Sequence, residues 1–180
     1  VRRSVANNLN DIAKDHPQRV VEVARRWWPL GATTQAEIDR RRMIRHGLRT
    51  LVKAGDRGAL EVLGYGGGSS LRLASSSIEP STVAIGGSVR CGVELANDEP
   101  GAVAALVDFR VWFVKANGST SPKVFKGAEI DVAPGDTATV VKKVVVKQMS
   151  TRTHHPGTQR VEVLVNGDAI EIGAFELTAE

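Results

Sequence analysis

Arg3, Asn7, Asn10 and Lys14 recur at helical spacing within the first fifteen residues, with Asp11 beside them. On a helix they form one polar stripe. Val1, Val5, Leu9 and Ile12 fall opposite, at the i, i+4, i+8, i+11 spacing of a buried face. A carboxylate set among cations and amides admits two chemistries. Asp11 is either one end of a surface ion pair, to Arg3 or Lys14, or the single negative group held against a polyanion that the rest of the stripe binds.

A second basic cluster holds Arg41, Arg42, Arg45, His46, Arg49 and Lys53. Arg41, Arg45 and Arg49 repeat at i, i+4, i+8, and few acidic residues stand at i±4 to neutralise them. The cluster reads as a solvated face or as a face completed by phosphates. His46 fits a phosphate contact or a helix-surface group better than a general base. Trp27-Trp28 reads as a pair of base-stacking groups or as packing for the helices. Further on, Lys142, Lys143, Lys147 and Arg152 lead into the stretch Thr151-Arg152-Thr153-His154-His155-Pro156-Gly157. Such a proline-stiffened loop reads as a nucleic-acid backbone contact through Arg152, His154 and His155, or as a plain loop. Adjacent histidines on an extended chain point apart, and no Cys or Asp completes a set, so no metal site is expected. No Walker loop, dinucleotide fingerprint or G-x-S-x-G occurs, which leaves hydride transfer, ATP hydrolysis and serine-hydrolase chemistry without support.

The elements that must position these residues fall into two parts. Residues 1–64 predict helices: one to about Asp15, one opened by Pro17 with Val20, Val23, Ala24 and Trp27 inward, and one from the Thr34–Glu37 capping box to Gly55. A short turn of helix over Ala59–Leu63 follows. Paired amphipathic helices with short connections are the unit of a helical solenoid, and so few units do not bury a stable core alone. The chain also opens at Val1, within a helix pattern and without Met. It is therefore expected to be a piece of a longer protein. Residues 65–70 predict a Gly/Ser linker. Residues 71–180 turn to period two, with about seven strands separated by Gly, Pro and Asn turns, the pattern of an immunoglobulin-like β-sandwich. Cys91 and Trp112 sit where such domains place a core cysteine and a core tryptophan.

Charge follows the same division. Residues 1–65 hold 13 Lys and Arg against 7 Asp and Glu, a net of +6, whereas the remainder is −2. The basic excess of the helical part favours an anionic partner there. A single cysteine excludes an intrachain disulfide and suits a reducing compartment. No apolar run approaches a membrane span or a signal peptide.

The run Val1–Pro17, the run Ile44-Arg45-His46-Gly47-Leu48-Arg49-Thr50-Leu51-Val52-Lys53-Ala54-Gly55-Asp56 and Leu63-Gly64-Tyr65 resemble the bacterial DNA alkylation repair glycosylases of the AlkC/AlkD type. Phe113–Gly118, Ser121–Lys126 and Thr151–Gly157 resemble the Ig-like domain of one AlkC branch. The resemblance implies the C-terminal part of a HEAT-like solenoid followed by an Ig-like sandwich, with duplex DNA held on the solenoid's basic concave face and clamped by the sandwich. It implies hydrolysis of the N-glycosidic bond of cationic alkylated bases such as 3-methyladenine, without a base-flipping pocket. Asp11 is the residue matched to a family active-site carboxylate, and Asn8 stands where an AlkD-type helix carries a tryptophan against the lesion. Arg3, Asn7, Asn8, Lys14, Arg45, His46, Arg49, Lys53, Arg152, His154 and His155 are the expected DNA contacts. The expected partner is duplex DNA with alkylated bases. No membrane, metal or small-molecule cofactor is expected, and the protein is expected to be a monomer of the bacterial cytoplasm, on the nucleoid when DNA is bound. Val1–Glu180 alone is expected to be inactive. Two rivals remain: a non-catalytic DNA-binding scaffold, and an Ig-like protein-interaction module mounted on helices.

Overall fold

Five helices and then eight strands make up the computed structural model over its described residues, 1–29, 31–66, 70–148 and 153–179. They fall into two units, Val1–Gly68 and Ser69–Glu180. Gly67, Gly68 and Ser69 of the expected linker lie outside the described residues, as do Thr151 and Arg152 of the basic loop.

In the first unit, α1 (Arg2–Asp15) buries Ala6, Leu9, Asn10 and Ala13. This face is not the one that the large residues outlined: Val1 is fully exposed and Ile12 is 39% exposed. The reason is close packing. Small side chains at positions 6 and 13 let neighbouring backbones approach, and a Cβ added at Gly47 would stand only 3.2 Å from Leu9 Cβ. Asn10, placed by its spacing on the polar stripe, is instead interior. Its Oδ1 accepts from the Thr50 amide at 3.3 Å and the Thr50 hydroxyl at 2.8 Å, which makes its burial tolerable.

Pro17 opens α2 (Pro17–Trp27), where a missing N–H costs nothing. Val20, Val21 and Ala24 face inward, and Trp28, rather than Trp27, packs against the core. Thr34 and Glu37 form the capping box of α3 (Gln35–Gly47), and the hydrogen bonds from Thr34 and Thr33 hold the Glu37 carboxyl below its ordinary range. The single helix expected to Gly55 is divided at Leu48 into α3 and α4 (Arg49–Ala54). Backbone hydrogen bonds still cross the break, Leu48 N–H to Ile44 O and Val52 N–H to Leu48 O, both 2.9 Å. Asp56 caps α5 (Arg57–Val62) through the Ala59 amide. Leu9, Val20, Val21, Ile44, Leu48 and Leu51 form the centre of this unit's core.

The second unit is a sandwich. One sheet has the order β1 (Leu71–Glu79), β3 (Ser88–Asn97), β6 (Thr137–Val145). The other has the order β2 (Thr82–Ala84), β8 (Asp168–Thr178), β7 (Gly157–Val165), β4 (Val103–Val114), β5 (Thr120–Val132). Strand β2, three residues long and parallel to β8, was not anticipated. Val89, Cys91, Val93 and Leu95 of β3 meet Val107, Phe109, Val111 and Phe113 of β4 across the core. Cys91 is fully buried, and burial pushes its thiol up to about 11. Trp112 is not a core tryptophan. The core takes the odd-numbered residues of β4, so the alternation of a strand turns Trp112 to the outer face.

Candidate nucleic-acid interface

The close approach at Gly47 sets α1 against α3 and brings polar groups together along the seam. His46 Nε2 lies 3.1 Å from Asn7 Oδ1, so one helix orients the imidazole carried by the other. Arg2 reaches Asp39 at 2.8 Å, and Arg42 approaches the other oxygen of that carboxylate at 3.8 Å. Arg2, Arg3, Ala6, Asp39, Arg42, Met43 and His46 line a groove of about 320 Å³. Three guanidiniums against one carboxylate leave the groove positively charged, as an anion site requires.

The expected contact residues distribute unevenly. Arg3, Asn7 and Asn8 are exposed on α1. Arg49 donates to the His46 carbonyl at 2.7 Å where α3 ends. Lys53 is exposed on α4 and Arg45 is half-buried on α3. Asp11 and Lys14 form an ion pair at 2.9 Å with about two-thirds of each side chain exposed, a geometry that adds little stability. Asn7 and His46 are thus brought together, while Asp11 stands apart from the groove, further along α1.

His155 is half-buried, and Arg152 lies outside the described residues. His154 departs from its expected role. Its side chain is 4% exposed and its ring meets Phe113 edge-on at 4.8 Å, while its backbone is held by the Gln148 amide. The imidazole is a packing group of the sandwich, out of reach of a backbone phosphate.

One cluster escaped the sequence reading, and a second was read only in its tryptophan. On the outer face of β4 and β7, Glu162 accepts from Arg110 Nε at 2.5 Å and Trp112 Nε1 at 2.9 Å. The guanidiniums of Arg110 and Arg160 stand 5.4 and 4.9 Å from the Trp112 ring centre. Burial opposes the Glu162 charge, but the Trp112 and Arg110 hydrogen bonds and the nearby arginine charges outweigh it and hold the carboxyl below its ordinary value. The second cluster is Arg26, Trp27, Arg40 and Met43, which line a cavity of about 350 Å³. Its signal was the Arg25-Arg26-Trp27-Trp28 run, but only the packing of Trp28 reveals which indole faces solvent. Among the described residues no three His, Cys, Asp or Glu side chains are grouped to hold a metal, and no helix is long and apolar enough to cross a membrane.

A family model described as the C-terminal Ig-like domain of the uncharacterised protein YhaZ matches residues 72–179. The uncharacterised protein YhaZ of Bacillus subtilis (strain 168) is 34% identical over 177 residues, 98% of this chain and 47% of its own. The alkylpurine DNA glycosylase AlkC of Pseudomonas fluorescens, solved bound to DNA containing an abasic site analogue, is 32% identical with a TM-score of 0.89. That match covers 99% of this chain and 48% of AlkC. A Listeria innocua β-glucosidase in complex with gluconolactone matches 63% of this chain and 17% of its own at 20% identity and a TM-score of 0.51, a likeness of fold alone. The chain spans about half the length of YhaZ and AlkC.

Proposed function

The chain belongs to the family of the YhaZ C-terminal Ig-like domain, and on that premise we propose that the whole protein is a DNA repair glycosylase. Its substrate is duplex DNA carrying cationic alkylated bases of the 3-methyladenine type, and residues 1–64 form the C-terminal part of a HEAT-like solenoid. The observation that carries this reading is the TM-score of 0.89 to a glycosylase solved on DNA, over nearly the whole chain. The positively charged α1–α3 groove supports it from the chain's own residues.

The chemistry asks little of the protein. Alkylation leaves the base positively charged, so cleavage of the N-glycosidic bond expels a neutral base and leaves an oxocarbenium-like sugar. Asp11 is proposed as the carboxylate that stabilises this cation and accepts a proton from the water that adds at C1′. No base-flipping pocket is needed. Arg3, Asn7, Asn8, Lys14, Arg45, His46, Arg49 and Lys53 are proposed to hold the DNA backbone, with Arg152 and His155 touching it from the sandwich. Because the chain spans about half of its relatives, Val1–Glu180 alone is proposed to be inactive. The protein would act as a monomer in the cytoplasm, on the nucleoid when bound to DNA.

One observation favours a second reading. Asp11 already has a partner in Lys14 and stands at the surface, as it would in a scaffold that binds DNA without cleaving it. Incubation of the whole protein with alkylated duplex DNA separates the two. Release of free 3-methyladenine supports the glycosylase; tight DNA binding with no release supports the scaffold.

A further inference from the structure

Trp27 ends α2 with 40% of its surface exposed, whereas its neighbour Trp28 is half-buried and packs against the helical core. The cavity beside it, about 350 Å³, is walled by Trp27, Met43 and the exposed residues Arg26 and Arg40, with no acidic residue in the lining. Several other arginines of this unit have partners: Arg2 and Arg42 approach Asp39, Arg25 pairs with Glu61, and Arg41 lies over Trp28. Among the described residues, Arg26 and Arg40 make no ion pair and Trp27 has no cation or ring against it. An open indole face, a thioether wall and two unneutralised guanidiniums are the features that recognise a nucleobase together with its flanking phosphates. The cavity shares Met43 with the α1–α3 groove, so the two lie side by side.

We infer that Trp27, Arg26, Arg40 and Met43 form a subsite for an unpaired nucleotide, its base stacked on Trp27 and its phosphates met by the two arginines. The inference rests on the DNA reading given above and adds a base contact to it. The subsite takes a nucleotide other than the one whose glycosidic bond faces Asp11.

Fluorescence anisotropy with the whole protein tests this on three labelled probes: a fully paired duplex, the same duplex with one bulged nucleotide, and a single strand. Wild type is expected to prefer the bulged duplex and the single strand over what backbone contact alone gives. Trp27→Ala should weaken these two by roughly 5- to 100-fold, and change the paired duplex by less than about twofold. Trp27→Phe, which keeps a ring, should retain most of the affinity, and Arg26→Gln with Arg40→Gln should weaken binding with a shallower salt dependence. Unchanged bulge affinity in Trp27→Ala, with duplex binding intact, overturns the subsite and leaves the DNA reading standing. Equal loss on all three probes also overturns it. A polyglutamate peptide whose binding depends on Trp27 as strongly would assign the cavity to an acidic protein and overturn the inference. Failure to bind any probe removes both the subsite and the DNA reading.

Discussion

At the scale of single residues, Asn10 and Glu162 are buried polar groups held by hydrogen bonds from a neighbouring element, Thr50 for the first and Arg110 with Trp112 for the second. Asn10 shares its helical spacing with Arg3 and Lys14, yet it is interior and serves Thr50. Sequence spacing alone did not separate it from the exposed polar positions, because the deciding fact is a partner forty residues away. Glu162 is the clearest acidic case. Its carboxyl is held below the ordinary 4.5, chiefly by Trp112 and Arg110 working against the cost of burial. A carboxyl lowered in the folded state contributes stability above its unfolded value and loses it as pH falls through the folded value. Urea midpoints of the wild type should therefore be flat near neutral pH and fall below about pH 4.5. Glu162→Gln should start lower at neutral pH and lose less on acidification. A variant whose midpoint follows the wild type across this range would show that the Trp112–Arg110–Arg160 cluster does not depend on the charge.

At the scale of elements, bulges and close approaches decide what the strands and helices present. The β4–β5 ladder shifts register between Val107 and Asp108, and there the Gly127 amide donates to Asp108 Oδ1 at 2.9 Å. A Cβ at Gly127 would stand 2.3 Å from the Val107 carbonyl oxygen, a backbone atom with nowhere to go. Gly127→Ala is expected to destabilise the sandwich by about 1–3 kcal/mol by overpacking, read as a drop in the denaturant midpoint at constant slope. An unchanged midpoint would mean that the bulge relaxes freely. Most strand positions were legible because alternation and turn residues mark them, and the capping box fixed the start of α3. Three features were not legible. Strand β2 is too short to show a period, the α3–α4 break keeps its flanking hydrogen bonds, and the face given to Trp112 depends on a register that a single chain does not display. The buried stripe of α1 was misread for a related reason. Ala6 and Ala13 carry little hydrophobic weight, but they are what a tightly packed neighbour selects.

At the scale of the whole molecule, charge and likeness point the same way. The helical part carries the net +6 and also the groove between α1 and α3, and the match to a DNA-bound glycosylase runs through both units. If the basic face meets phosphates, DNA affinity must fall with salt, each contact adding about 0.9 to the logarithmic slope. Removing two exposed cations in Arg3→Gln with Lys53→Gln should therefore lower the slope by roughly 1.8; an unchanged slope would remove these residues from the interface. The candidate contacts on α1, α3 and α4 were readable as a basic periodicity. The role of the carboxylate among them rests on family likeness, because an exposed Asp11 paired with Lys14 looks like any helix-surface ion pair. The decisive measurement is single-turnover release of 3-methyladenine from alkylated duplex DNA by the whole protein, wild type against Asp11→Asn, with Lys14→Gln alongside. The expected result is release by the wild type, a fall of about 100-fold or more in Asp11→Asn with duplex affinity held within about twofold, and a far smaller change in Lys14→Gln. Full activity in Asp11→Asn, or no release by the wild type, would contradict the assignment.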